Sequence, residues 1–151
     1  MNGMNAIPAY ANYLQTSSMN LYQNSTTLLA WDVNNNTSNF TVSGYDLIAR
    51  ENGVYKIGVS LQLNNQSGSD LVYFYFLKNN TAISNSCSVF NIQNNVETVF
   101  YVETMEPLNQ TDAMEFGIYT GSSDLTLSTI TGPVASVPDS PAAILTCYKV
   151  G

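Results

Sequence analysis

From Leu28 onward, apolar and polar residues alternate with a period of two. The clearest run is Val54–Leu63. Tyr55, Ile57, Val59, Leu61 and Leu63 fall on one side, and Lys56, Gly58, Ser60 and Gln62 on the other. That is the signature of a strand with one face in a core. Asn52-Gly53 supplies a turn just before it. Further strands are predicted at Leu28–Val33, Phe40–Val42, Leu71–Leu77, Cys87–Ile92, Thr98–Thr104, Met114–Tyr119, Leu125–Ile130 and Ala142–Val150. Polar, turn-forming pieces separate them: 34–39, 64–70, 78–80, 93–95, 121–124 and 137–141. No 10–15-residue helical stripe lies between, so crossover units and a parallel sheet are not expected. The pattern predicts an all-β chain of two antiparallel sheets with about 8–10 strands. Residues 1–27, with scattered Tyr10, Tyr13, Leu14, Leu21 and Tyr22, read as an N-terminal arm or a first strand. Residues 28–151 read as the domain proper.

Two predicted strands are apolar on both sides. Leu71–Leu77 reads L-V-Y-F-Y-F-L, and Ala142–Val150 reads A-A-I-L-T-C-Y-K-V. A sandwich strand has one face on the core, so an apolar second face calls for a cover. The N-terminal arm or a second copy of the chain would serve. On Leu71–Leu77 the hydrocarbon set Val72, Phe74 and Phe76 suits the core. Leu71, Tyr73, Tyr75 and Leu77 suit a subunit interface, because Tyr joins a large apolar ring to a polar tip.

Composition narrows the chemistry. The 151 residues suit one domain, and only 10% are charged. Solubility rests on nineteen Asn, sixteen Ser and fourteen Thr. The net charge is −7, and the only cations are Arg50, Lys56, Lys78 and Lys149. They do not cluster, so neither nucleic acid nor an anionic membrane is an expected partner. No apolar run is long enough to span a membrane as a helix. The opening MNGMNAIPAYANYLQ has no basic region before an apolar run, so no secretory signal is expected. Seven N-x-Ser/Thr sequons begin at Asn24, Asn35, Asn36, Asn39, Asn65, Asn79 and Asn109. In so Asn-rich a chain they are read first as composition. Cys87 and Cys147 are expected as free thiols.

The chain contains no histidine. Serine and cysteine nucleophiles that rely on a His base are therefore excluded, as is a Cys/His zinc site within one chain. No Gly-rich phosphate loop occurs. Glu103 and Glu115 are candidates to meet across a hairpin, which would offer a carboxylate pair. The polar face of a sandwich carries such residues in any case. Asn109–Asp112, or Asp124 with Asp70, offer oxygen ligands for calcium, without EF-hand spacing. The expectation is a protein that is not an enzyme, with no catalytic residue, no metal and no cofactor.

Several segments resemble the C1q/TNF-like jelly-roll domain. Gly53-Val54-Tyr55-Lys56-Ile57 is similar to the G-x-Y-x-F start of its long strand. Tyr73-Phe74-Tyr75-Phe76-Leu77-Lys78-Asn79-Asn80 is similar to its aromatic strand and turn. Leu108-Asn109-Gln110-Thr111-Asp112 is similar to its L-x-x-G-D turn, with Thr111 in place of the usual Gly. The resemblance spans roughly 28–151 and implies a two-sheet antiparallel jelly-roll sandwich. The closing stretch from Ser140 to Gly151 is also similar to the end of small single-jelly-roll structural proteins of large DNA viruses. What these likenesses imply is a virion structural protein, a capsid or penton-type assembly subunit. Its partners would be itself, as a homo-trimer or homo-pentamer, and other capsid proteins, and it would be assembled in the host cell cytoplasm. The alternative they imply is an extracellular trimeric recognition head that binds a receptor or glycan.

Overall fold

A computed structural model describes residues 9–151. Every regular element in that range is a strand. They are β1 (Tyr10–Gln15), β2 (Met19–Asn20), β3 (Ser25–Leu28), β4 (Val33–Ser38), β5 (Phe40–Ser43), β6 (Asp46–Ala49) and β7 (Gly53–Asn65). Then follow β8 (Ser69–Lys78), β9 (Thr81–Ala82), β10 (Ser88–Gln93), β11 (Thr98–Leu108), β12 (Ala113–Thr120), β13 (Leu125–Leu127) and β14 (Ala143–Lys149).

They build two antiparallel sheets. In the seven-stranded sheet, β7 is central. β11 lies along one edge of it, while β14 and β13 lie end to end along the other. Beyond β14 come β1 and then β4, and beyond β13 comes β2. The six-stranded sheet runs β10-β8-β12-β6-β5, with β9 hooked onto β8. β3 lies beside β12, tied by the Leu29 and Asn24 amides to the Phe116 and Thr120 carbonyls.

The period of two explains what fills the space between the sheets. Tyr55, Ile57, Val59, Leu61 and Leu63 of β7 are fully buried. From the opposite sheet, Val72, Phe74 and Phe76 of β8 and Met114, Phe116 and Ile118 of β12 meet them, also fully buried. The rings pack edge to face, as their quadrupoles favour. Phe74–Phe76, Trp31–Phe116 and Phe76–Phe116 have centroids 5.2, 5.4 and 5.8 Å apart. Residues 10–15, in the segment expected to be an arm or a first strand, form β1 between β14 and β4. Residues 1–8 of that segment lie outside the described range.

Three expectations about elements need correction. The Asn-rich 34–39 stretch is not a loop but most of β4, a strand that among the described residues pairs with β1 alone. There the amides work as cross-strand partners: Asn35 donates to Asn12 and Tyr10 donates to Asn36. Asn39, at φ 59°, ends the strand in a left-handed conformation that Asn tolerates. The strand expected over Leu28–Val33 is broken, because the chain crosses there between sheets and buries Leu29 and Trp31 on the way. The strand expected over Leu125–Ile130 stops at Leu127. β6, which was not anticipated, is four residues long and follows a tight turn at Gly44, too short to show a period.

Candidate interaction surface

The outer face of the larger sheet is built from the alternate residues of β11, β7 and β14. The register sets Ser60 between Tyr101 and Ile144, Gly58 between Glu103 and Thr146, and Lys56 between Met105 and Tyr148. Val99, Tyr101, Met105 and Tyr148 are 61, 58, 60 and 42% exposed. Four large side chains, mostly apolar and all open to water, thus share one face around the Lys56–Glu103 pair, an exposure that soluble monomers tend to limit.

The centre of the patch is ordered by a glycine. A Cβ on Gly58 would stand 2.1 Å from the Tyr101 hydroxyl, so only a residue without one lets that ring lie across β7. From there the Tyr101 hydroxyl donates to Glu103 at 3.1 Å, and Lys56 pairs with the same carboxylate at 3.3 Å. The bond and the charge of Glu103 hold the Lys56 ammonium above its ordinary value. Partial burial, then the bond to Glu103, pushes the Tyr101 phenol up. The two charges on the patch cancel each other.

The other sheet carries Leu71, Tyr73, Tyr75 and Leu77 on its outer face. Leu71 is exposed, and the other three are half-buried. Tyr75 lies against Gly117 and bonds the Thr26 hydroxyl at 2.6 Å, so β3 covers part of it. Tyr73 packs edge to face on Tyr119, with centroids 6.0 Å apart. Sequence reasoning singled out this face and the apolar second face of β14. It missed Val99, Tyr101 and Met105, because Glu103 and Thr104 interrupt the apolar run on β11. The signal present was the Tyr101/Gly58 size complement, which requires the strand register to be seen.

The carboxylate candidates do not come together. Glu103 is on the outside of the larger sheet with Lys56, whereas Glu115 is buried in the smaller sheet and accepts from the Asn80 amide at 3.0 Å. The hairpin pairing expected for them fails because β11 and β12 belong to different sheets. In the 109–112 turn, one Asp112 oxygen accepts from the Asn79 side chain and the other from the Asn109 amide. Those donors, the Asn79 side chain first and then the Asn109 amide, lower its carboxyl below the usual range. Asp70 accepts from Asn65 at 3.0 Å. Each lysine is taken by a glutamate: Lys56 by Glu103, Lys78 by Glu106 and Lys149 by Glu51. Cys87 is exposed and Cys147 buried, and the two are not bonded to each other. The sequon Asn65 is fully buried, tied to the Gly68 and Ile92 carbonyls.

No protein-family model matches the sequence, and no curated protein sequence matches it. Solved structures do match the fold. The globular domain of zebrafish complement 1qA superposes with a TM-score of 0.59 at 10% identity, covering 96% of this chain and 98% of that one. Murine APRIL at pH 5.0 superposes with a TM-score of 0.62 at 10% identity, covering 95% of this chain and 100% of that one. The fold is a C1q/TNF-like jelly roll. Superposition at this identity speaks for the backbone path. The faces of this jelly roll are read from its own side chains.

Proposed function

We propose that this chain is a non-catalytic jelly-roll head that associates with copies of itself through the outer face of its larger sheet. The observation that carries the reading is the patch of Val99, Tyr101, Met105 and Tyr148. The occupant is a second copy because the patch is electrically neutral on a chain of net charge −7. Like-charged copies approach with least repulsion where Lys56 and Glu103 already cancel. Covering several such side chains contributes about 25 cal/mol per Å² before association costs are met. The oligomer is a closed ring of three or five copies, three being what the C1q/TNF resemblance implies.

Two settings use such an oligomer. The closing Ser140–Gly151 segment supports an assembly subunit of a virus particle, in contact with other capsid proteins. The likeness to a complement globular domain and to APRIL supports a recognition head instead. Mass spectrometry of purified particles separates the two. The self-association itself is tested by sedimentation of a Tyr101→Asp, Met105→Glu variant beside a Tyr73→Asp, Tyr75→Asp variant. The first is expected to be a folded monomer at micromolar concentration. An oligomer that survives in the first and dissociates in the second would move the interface to β8.

A further inference from the structure

At one end of the sandwich two clefts, of about 600 and about 390 Å³, share Asn20 and Tyr22. Tyr22 is the ridge between them and is 70% exposed. Its backbone is nonetheless held on both sides. Leu21 is buried and its amide bonds the Leu125 carbonyl at 3.0 Å, while the Asn24 amide bonds the Thr120 carbonyl at 2.8 Å. A large ring is thus pushed into water from a pinned backbone, which removes much of the ordering cost of binding against it. Tyr45, 50% exposed, lines the larger cleft with Met19 and Thr27. The Thr27 hydroxyl is buried there without a partner among the described residues. Asn20 accepts from Thr126 through Oδ1, which leaves its amide protons directed elsewhere. The smaller cleft adds Gln23, Gln66 and Asp124.

This is the chemistry of sugar recognition. Two open phenol rings offer faces for the C–H side of a pyranose. Amides and one carboxylate offer donors and acceptors for its hydroxyls. No cation lines either cleft among the described residues, so nothing there compensates a sulfate, phosphate or sialic carboxylate. We propose that the groove divided by Tyr22 binds an uncharged oligosaccharide, one sugar ring stacked on Tyr22 and a neighbouring ring on Tyr45. The site lies apart from the self-association face, so it stands or falls independently of it.

The test is affinity electrophoresis and titration calorimetry of the full chain. The probes are neutral glucans, mannans, galactans and xylans, with heparin and polygalacturonate as anionic probes and a proline-rich peptide as an extended apolar one. At least one neutral glycan is expected to bind. Tyr22→Ala should weaken it at least tenfold and Tyr22→Phe less than threefold, with unchanged sedimentation and melting temperature in both. Binding of none of the neutral glycans at millimolar concentration overturns the proposal. So does binding confined to the anionic probes or to the peptide, or a neutral-glycan affinity that Tyr22→Ala leaves intact.

Discussion

Thr111 sits at φ 78° in the turn that Asp112 closes by donating its amide to the Asn109 carbonyl at 3.0 Å. A left-handed third position is a demand that Gly meets freely and a β-branched residue meets under strain. Thr111→Gly is expected to stabilise the fold by about 1 kcal/mol. The measurement is the urea midpoint at unchanged m-value. The departure from the resembled G-D turn is visible in the sequence, but the strain becomes visible only with the backbone angle. The adjacent Asp112 carboxyl is depressed in the folded state, so its contribution is present above the unfolded value near 4 and lost as pH falls through the folded one. Asp112→Asn should flatten the acid side of a stability–pH curve. The cysteines differ in access. Native alkylation should label Cys87 alone, and denaturation without reductant should add Cys147.

Strand β7, thirteen residues long, was legible because Tyr55–Leu63 within it hold one alternation without a break, long enough for the period to outweigh composition. The Asn79-Asn80 turn was legible too. Both residues have positive φ, at 50° and 64°, which is the two-residue hairpin geometry Asn favours. β4 was not legible, because Asn scores as a turn former and only a neighbour's free edge makes a strand of it. On β11 the outward set was hidden for the same kind of reason: its meaning depends on Gly58 across the ladder. Gly58→Ala tests that pairing. The added methyl should lift the Tyr101 ring away, break its bond to Glu103 and let the phenol titrate nearer its ordinary value of 10. Ultraviolet titration of tyrosinate reads the shift, and sedimentation should show a weakened oligomer.

For the molecule as a whole, the core sets an alkaline limit. Burial pushes the Cys147 thiol up to about 12, and burial, then the Glu51 charge, pushes the Tyr55 phenol up to about 12. Both groups keep their protons in the fold and lose them sooner when unfolded. Their contribution is full below the unfolded values, about 8.5 for Cys and 10 for Tyr, and disappears as pH rises toward 12. Denaturant midpoints should therefore fall from about pH 9 upward, less steeply in Cys147→Ala. Phe76→Ala, at the meeting of two ring contacts, should cost about 3–5 kcal/mol at any pH.

The pairing of β1 with β14 has a mechanical consequence. Tyr10 stands opposite Tyr148, and the Lys149 amide bonds the Ala9 carbonyl, so the start of β1 and the end of β14 meet at the same point of the sheet. A load applied through both ends would pull there in opposite directions across the ladder. It would then reach the hydrogen bonds one at a time rather than all together. Extension in a single-molecule force experiment should peel β1 away at low force, like a zip opened from its slider. Tension applied between Gly68 and Gly151 would instead stress β7 and β14 along their length, and should meet several times the resistance.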